Sequence, residues 1–237
     1  MHVLITGATG GIGRVVAHHL MAHDLTLVAR DPGRLAELAH EHPRATTLSA
    51  DLTTEAGAAS LAAVLATRPP VEAAAHLVGS LLLKPAARLT FSEWRTALAT
   101  NLDSAFLVLS LLTKAKMKGS IVLMSSVAAG VGLPNHEAIA AAKAGIEGLV
   151  RAAAASYADQ GLRINAVAPA LTETPLTAGM VANEQIRKAV TAMHPLGRLG
   201  TAADQAAAIC WLLSAESSWI TGQVLGVDGG LGRLKAK

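Results

Sequence analysis

The sequence predicts an α/β fold in which seven parallel strands form a doubly wound sheet with helices on both faces. Three observations indicate this fold: short apolar strands alternate with helices, a glycine-rich turn joins the first strand to the first helix, and residues 71–78 are apolar except for Glu72 and His76. Alternating strands and helices require a parallel sheet with right-handed crossovers. A nearly continuous apolar strand is typical of a sheet covered on both faces.

Each element follows from a local pattern. The first helix carries Ile12, Val16 and Leu20 on one stripe, and the second begins at Pro32, a residue favoured at the first helical position. Short runs rich in β-branched and apolar residues predict strands at residues 2–5, 25–29, 46–50, 71–78, 120–124, 163–167 and 223–227. Apolar residues at helical spacing predict helices at residues 11–22, 32–41, 55–66, 91–116, 137–159 and 201–215.

Composition favours one folded domain over residues 1–237. Apolar residues make up 51% and charged residues 16% of the chain, which excludes a disordered protein. No apolar run reaches membrane-spanning length, and a first strand at residue 2 leaves no room for a signal peptide, so we expect no membrane association. The single cysteine, Cys210, excludes an internal disulfide and favours the cytoplasm. Scattered basic residues and few aromatics predict no nucleic-acid partner.

The turn between the first strand and the first helix has the residues of a phosphate site. Gly7, Gly11 and Gly13 lack a Cβ, so the chain can turn sharply and a pyrophosphate can approach the backbone. The free N–H groups and the dipole at the helix N-terminus attract an anion. The sequence therefore predicts a Rossmann-type dinucleotide-binding fold.

Two residues that follow the next strands bear on the cofactor. Arg30 follows the second strand, where NAD-binding folds carry an acidic residue for the ribose 2′-hydroxyl. A guanidinium there suits a 2′-phosphate, so NADP is favoured over NAD, although Asp31 stands beside it. Asp51, after the third strand, either accepts a hydrogen bond from the adenine amino group or stabilises the turn before the next helix.

Seven motifs together resemble the short-chain dehydrogenase/reductase family, most closely its 3-oxoacyl-carrier-protein reductase-like members. They occur in the family's order at residues 6–13 (TGATGGIG), 51–53 (DLT), 100–102 (TNL), 120–127 (SIVLMSSV), 163–169 (RINAVAP), 195–200 (PLGRLG) and 220–230 (ITGQ…VDGG). The resemblance implies hydride transfer between NADP(H) and a carbonyl or alcohol of a small-molecule substrate. It also implies a homodimer or homotetramer formed through the two longest helices and the C-terminal strand.

The resemblance assigns roles to individual residues. It implies that Ser126 holds the substrate oxygen, that Lys143 binds the nicotinamide ribose and that Asn101 stabilises its helix and holds a water. Residues 172–195 resemble the substrate lid. The implied cofactor-binding residues are Gly7, Thr9, Gly11, Ile12, Gly13, Arg30, Asp51, Leu52, Gly79, Lys143 and Thr174.

The chain departs from the family at the proton donor. The family's catalytic tyrosine lies four residues before its lysine, and that position is Ile139. The only tyrosine, Tyr157, lies five turns further along the helix. Another departure follows the fourth strand, where His76 and Leu77 replace the family's two asparagines while Gly79 is kept.

His136 is the candidate substitute for the tyrosine. Asn135 predicts a helix N-cap, which would place His136, Ile139 and Lys143 on one stripe, with His136 about one turn (~5 Å) nearer the mouth of the pocket. An imidazole exchanges protons near neutral pH, here with Glu137 as a possible helper. The alternative is that His136 is a first-turn residue without chemistry. The protein is then either an oxidoreductase with an unusual acid or an inactive NADP(H)-binding sensor or assembly partner.

Metal binding is not predicted. His18, His19 and His23 lie on or beside the first helix, but no cysteine or carboxylate accompanies them at ligand spacing. A solvated helix face explains them better.

Overall fold

The computed structural model describes residues 1–235. Seven strands form one sheet, and a separate pair, β7 and β8, forms a second, two-stranded sheet. The strands are β1 (His2–Thr6), β2 (Asp24–Ala29), β3 (Thr46–Ser49), β4 (Ala73–His76), β5 (Gly119–Met124), β6 (Leu162–Pro169), β7 (Thr172–Glu173), β8 (Gly200–Thr201) and β9 (Val224–Val227).

The large sheet has the order β3-β2-β1-β4-β5-β6-β9, and every neighbouring pair is parallel. The predicted seven-stranded doubly wound sheet is therefore confirmed. The strand order changes direction between β1 and β4. Ligands of such sheets bind at this switch point, outside the carboxyl ends of the strands.

Helices cover both faces of the sheet. The α-helices are α1 (Gly11–His19), α2 (Pro32–Glu41), α3 (Glu55–Leu65), α4 (Phe91–Leu98), α5 (Ser104–Lys114), α6 (Glu137–Tyr157), α7 (Ala178–Val181), α8 (Glu184–Ala192) and α9 (Ala202–Leu213). Alternate residues of β1 divide the core, because Val3 and Ile5 join the cluster with α1, α2 and α9, whereas Leu4 joins the cluster with α3, α5 and α6. This alternation is the two-residue period of a strand.

Three elements differ from the sequence prediction. β4 is shorter than the predicted residues 71–78, because Val71 and Glu72 precede it and residues 77–79 leave the sheet and border the groove described below. A π-helical turn, Ala99–Asp103, interrupts the predicted helix 91–116 and separates α4 from α5. α1 ends at His19 rather than at residue 22. Apolar periodicity predicts a helix but shows neither a π turn nor the residue where the last turn ends.

The sequence was expected to hold no apolar run of membrane-spanning length, but the stretch Phe91–Lys114 is long and apolar enough to cross a membrane by length and composition alone. Core helices meet the same criterion. Its residues Val108, Leu109 and Leu112 pack in the core cluster against the sheet. We therefore interpret it as a core helix.

The segment that resembles a substrate lid contains structure that the sequence analysis did not predict. α7 and α8 lie within it, and β7 pairs with β8 at its base. Thr177, the N-cap residue of α7, is bonded to β7, because its hydroxyl donates to the carbonyl of Thr172 at 2.6 Å. α8 is amphipathic and capped by Asn183, whose side chain accepts from the N–H groups of Gln185 and Ile186.

Candidate active site

The glycine-rich turn is closely packed, and two of its glycines have no room for a side chain. Gly7 has a φ of +71°, and a Cβ there would lie 2.7 Å from the carbonyl carbon of Leu77. A Cβ on Gly13 would lie 2.3 Å from the carbonyl oxygen of Gly7. The turn can therefore bring its backbone close to a ligand only with glycine at these positions.

A groove of about 750 Å³ runs from this turn along the ends of β1, β2, β3 and β4. It is lined by predicted cofactor-binding residues from five separate parts of the sequence: Gly7, Thr9, Gly11, Ile12, Gly13, Arg30, Asp51, Leu52, Gly79 and Thr174. The glycine cradle and the exposed N-terminus of α1 fit the pyrophosphate of a dinucleotide.

Arg34 is a groove residue that the sequence analysis did not select. Its guanidinium donates to the carbonyl of Thr9 at 2.7 Å, and both Arg30 and Arg34 line the groove. Asp31 lies between them but caps α2, because its Oδ1 accepts the N–H of Arg34 at 3.0 Å. Arg34 lies in the first turn of α2, four residues after Arg30, and this position beside the strand end is the signal that could have identified the second arginine.

Asp51 lines the groove and also stabilises a turn. Its Oδ1 accepts from the N–H of Thr53 at 3.0 Å and from the Thr53 hydroxyl at 2.8 Å. These bonds hold the pKa of Asp51 below its usual value, and the Arg30 charge lowers it further. The N-cap of α3 is Thr54. Asp51 therefore stabilises the turn, and its place in the groove also allows a hydrogen bond to a ligand.

A second, largely apolar cavity of about 370 Å³ adjoins the groove and shares Ile12, Gly79 and Thr174 with it. The predicted catalytic residues all line this cavity: Asn101, Ser126, His136 and Lys143. Ile139 lines it too. Residues that are distant in the sequence therefore meet in one cavity beside the groove.

Lys143 is buried at the inner end of this cavity. Its Nζ donates to the carbonyl of Met124 at 2.8 Å, and the side chain is 6% exposed. Burial lowers the pKa of Lys143 to about 8, because desolvation disfavours the charged amine. Lys143 also lies near the groove, 3.9 Å from where a Cβ of Gly79 would be.

Asn101 is held by the π turn. Its Nδ2 donates to the Ala97 carbonyl at 3.0 Å and to the Ser80 hydroxyl at 2.9 Å, while its Oδ1 accepts the N–H of Ser80 at 3.1 Å. These bonds tie the helix to the loop that follows β4. The residue therefore stabilises the loop that carries Gly79.

Ser126 follows β5 and is partly exposed to the cavity. Its hydroxyl oxygen accepts the N–H of Ala128 at 3.2 Å, which leaves the O–H free to donate. The neighbouring Ser125 is buried and donates instead to Glu147 at 2.9 Å. The two serines thus have separate partners.

His136 lines the cavity, and α6 begins at Glu137 as predicted, but the predicted N-cap was wrong. Asn135 has a φ of +64° and lies outside the helix, and His136 itself is the N-cap of α6, without a side-chain cap bond. Its Nδ1 lies 2.8 Å from the Pro134 carbonyl, so Nδ1 carries the hydrogen and Nε2 is free to accept a proton. Glu137, the candidate helper, does not line the cavity, and its Oε1 accepts the N–H of Ala86 at 3.1 Å.

Ile139 lies one turn before Lys143 on α6 and is 4% exposed. Tyr157 is the last residue of that helix, about 27 Å further along its axis at the usual rise per residue. It belongs to the core beside the sheet. The described part of the chain therefore brings no phenolic hydroxyl to the cavity.

A series of buried hydrogen bonds connects Thr6, at the end of β1, to the π turn. The Ser104 hydroxyl donates to the Thr100 carbonyl at 2.7 Å and lies 3.0 Å from Nε2 of His76, whose Nδ1 lies 2.8 Å from the Thr6 hydroxyl. Nε2 therefore carries the hydrogen, and Nδ1 accepts from Thr6. Burial, and to a smaller extent the Lys143 charge, lower the pKa of His76 to about 3. In the sequence, His76 can be recognised only as a departure from the pattern of the family that the motifs resemble.

Comparison with known proteins agrees with this arrangement. A family model described as enoyl-(acyl carrier protein) reductase matches residues 7–232. The chain belongs to the short-chain dehydrogenase/reductase family. The members of this family are oxidoreductase enzymes. The resemblance that the seven motifs indicated is therefore confirmed.

Similar proteins cover nearly the whole chain. A tropinone reductase homologue of Arabidopsis thaliana is 34% identical over 98% of this chain and 92% of its own length. A short-chain type dehydrogenase/reductase from Mycobacterium ulcerans has a TM-score of 0.93 at 28% identity, covering 99% of this chain and 90% of that chain. A single-residue variant of actinorhodin polyketide ketoreductase with NADPH has a TM-score of 0.92 at 26% identity, covering 98% of this chain and 97% of that chain.

Proposed function

We propose that this protein is an NADP(H)-dependent oxidoreductase that interconverts a carbonyl and an alcohol in an atypical active site. One observation carries the proposal: the groove and the cavity adjoin, and the cavity holds Ser126 and Lys143 beside the shared wall residue Gly79. NADPH, when bound, supplies the hydride. The two arginines that line the groove support NADP over NAD, because guanidinium groups suit a 2′-phosphate.

The chain's own residues then have distinct tasks. The free O–H of Ser126 binds the substrate oxygen and stabilises the charge that develops on it. Lys143 binds the ribose hydroxyls of the cofactor, and its positive charge favours the developing oxyanion. Lys143 is buried and its pKa is about 8, so the amine is mainly protonated, and therefore charged, below that pH.

We propose His136 as the group that exchanges the proton. During reduction, hydride adds to the carbonyl carbon and the imidazolium of His136 gives the proton on Nε2 to the oxygen. During oxidation, neutral Nε2 accepts that proton. The bond from Nδ1 to the Pro134 carbonyl supports this assignment, because it leaves Nε2 as the exchanging atom.

A second candidate is a protein that binds NADP(H) without turnover, as a sensor or assembly partner. Ile139 favours it, because an isoleucine in the cavity wall one turn before Lys143 cannot exchange a proton. The groove residues support both candidates equally. The two functions therefore differ only in the cavity.

Turnover of NADPH by the wild type, Ile139→Tyr and Ile139→Phe tests these alternatives, with ketones, aldehydes and 3-oxoacyl thioesters as substrates. The phenylalanine variant matches tyrosine in size and lacks its hydroxyl. Turnover by the wild type that His136→Ala lowers at least tenfold supports the enzyme, and turnover unchanged by His136→Ala excludes this acid. Turnover only by Ile139→Tyr, with NADPH bound by all variants, supports the binding protein. Absence of NADPH binding contradicts both candidates.

We also propose that residues 1–237 form one domain whose segment 172–195 closes over the substrate, and that the protein is a homodimer or homotetramer in the cytoplasm. Phe91 and Phe106, on the two helices joined by the π turn, are 76% and 54% exposed, and β9 is an edge strand of the sheet. Exposed aromatics and an unpaired edge are typical of protein interfaces. Light scattering should give a multiple of the 24.2 kDa chain mass at micromolar concentration. A monomer would contradict the proposal.

A further inference from the structure

The cavity beside the groove has a buried polar end and an exposed apolar mouth. Asn101 and Lys143 line the cavity and are buried, so they lie at its inner end. Leu176 and Met193 line the same cavity and are 57% and 43% exposed, so they border its mouth. A substrate that reaches the inner end with its carbonyl group therefore extends its other atoms toward the mouth.

The lid-like segment, residues 172–195, presents apolar side chains to the cavity. Four of them line it: Leu176, Met180, Val190 and Met193. The charged side chains of α8 that border a cavity belong to a separate one, namely Glu184, Arg187 and Lys188. Methionine side chains are flexible and polarisable, so they pack against apolar groups of different shapes. The lid-like segment therefore offers an adaptable apolar surface to a bound molecule.

Side chains from outside the lid-like segment continue the apolar wall. Leu81 lies in the loop after β4, and Leu133 and Pro134 lie in the loop before α6. Ile139 extends the apolar lining to the helical turn before Lys143. The body of a bound molecule would therefore be in contact with apolar side chains from three separate parts of the chain.

The cavity provides no counter-ion for a charged group on that body. Among residues 1–235, no aspartate, glutamate or arginine lines it, and its titratable side chains are Lys143, His136 and His194. Lys143 and His136 are assigned to the cofactor ribose and the reacting oxygen, and His194 is buried. A charged group that enters apolar surroundings loses its water, and without a partner this loss is not compensated.

We infer that the cavity selects a compact, uncharged ketone or alcohol whose apolar body contacts Met180 and Met193. The inference rests on the proposed function, which places the reacting oxygen at Ser126. The volume of about 370 Å³ agrees with a compact substrate, because it is near the lower end of the usual range for ligand sites, about 300–1,000 Å³. The two methionines then determine specificity by apolar contact.

The test uses cyclohexanones whose substituent at carbon 4 points away from the carbonyl group. The substituents of 4-isopropylcyclohexanone, 4-oxocyclohexanecarboxylate and 4-(dimethylamino)cyclohexanone are similar in shape and are neutral, negative and positive at neutral pH. Unsubstituted cyclohexanone is the reference. Binding is measured by calorimetry with NADP⁺ present, because a ketone cannot accept hydride from the oxidised cofactor.

We expect the wild type to bind the isopropyl compound about tenfold more tightly than cyclohexanone and than either charged compound, a preference of about 1.4 kcal/mol. Met180→Gln and Met193→Gln should each reduce the preference over cyclohexanone to about threefold or less, because glutamine keeps the length of methionine and adds an amide. Met21→Gln, which changes an exposed methionine outside the cavity, should keep the preference. All variants must first show the wild-type circular dichroism spectrum and the wild-type affinity for NADPH.

Two results overturn the inference: binding of a charged compound by the wild type that equals or exceeds binding of the isopropyl compound, or a preference over cyclohexanone that is absent in the wild type or intact in both cavity variants. NADPH oxidation with the same ketones is measured separately. The expected preference without turnover contradicts the proposed catalytic function alone. Turnover that is fastest with a charged ketone contradicts the inferred substrate class alone.

Discussion

The groove and the adjoining cavity are built from different parts of the polypeptide. The groove is formed largely by backbone at a glycine-rich turn, where Gly7 and Gly13 exclude any side chain. The cavity depends on individual side chains, among them Ser126, Lys143 and Ile139. One substitution can therefore alter the chemistry in the cavity while the groove, and the fold that forms it, stay intact. We propose that Ile139 is such a substitution, because the resemblance of the motifs places a tyrosine at this position.

The largest expected effect concerns His76, which joins Thr6 at the end of β1 to Ser104 at the start of α5. Between pH 6.5 and about 3 the unfolded chain binds a proton on this imidazole while the folded chain does not, so stability falls as the pH falls through this window. The pKa shift corresponds to a loss of up to about 5 kcal/mol. Urea unfolding across this pH range should show a shallower acid dependence for His76→Asn. His40→Asn, which changes an exposed histidine, should keep the wild-type profile, and equal profiles for all three proteins would contradict the prediction.

The next largest expected effect is a loss of NADPH binding in the groove. Gly13→Ala should weaken NADPH binding by at least about a hundredfold, or about 3 kcal/mol, because its Cβ would lie 2.3 Å from one backbone oxygen and 2.8 Å from another. Gly33→Ala is the matched control, since its Cβ would make only an ordinary contact of 3.4 Å with Asp31. Fluorescence titration with NADPH measures both. Binding by Gly13→Ala within threefold of the wild type would show that the turn tolerates a side chain.

A similar effect concerns Lys143 in the cavity. Between pH 8 and 10.5 the unfolded chain keeps the proton on this amine while the folded chain loses it, so folding becomes more favourable as the pH rises, by up to about 3 kcal/mol. Lys143→Met should remove this rise in chemical denaturation experiments. Lys84→Met, which breaks a pair with Glu93 at the surface, should keep it. A rise that persists in Lys143→Met must come from other groups.

The smallest expected effect concerns the two arginines that line the groove. Arg30→Ala and Arg34→Ala should each weaken NADPH binding roughly tenfold, about 1.4 kcal/mol, and leave NADH binding unchanged, because only NADPH carries the 2′-phosphate. Arg44→Ala, outside the groove, is the control. Calorimetry with both nucleotides checks the prediction. Equal losses for NADPH and NADH would assign the arginines to the general shape of the groove.

Much of the groove was predictable because it depends on short-range patterns. A strand, a glycine-rich turn and a helix follow one another between His2 and His19, and Arg30 follows the next strand directly. The α/β alternation then specifies that these strand ends lie together, since all strands of such a sheet are parallel. The position of Ile139 could be counted from Lys143 for the same reason, because both lie on one helix.

The cavity was less predictable because its residues are distant in sequence. Asn135 was expected to be the N-cap of α6, but its left-handed backbone excludes that role, and His136 takes the N-cap position and lines the cavity. Asn101 was expected in a regular helix and lies in a π turn instead. Neither outcome follows from apolar periodicity, because loop paths and extra helical residues depend on what packs against them.

The sequence by itself determined the sheet, the glycine-rich turn and the absence of a tyrosine four residues before Lys143. Glycine requirements, helical spacing and strand alternation are local, so they can be read without the fold. Tertiary structure decided that Arg34 reaches Thr9 and that His76 joins Thr6 to Ser104. These contacts join residues up to 70 positions apart, and they exist only because close packing of the helices on the sheet brings those residues together.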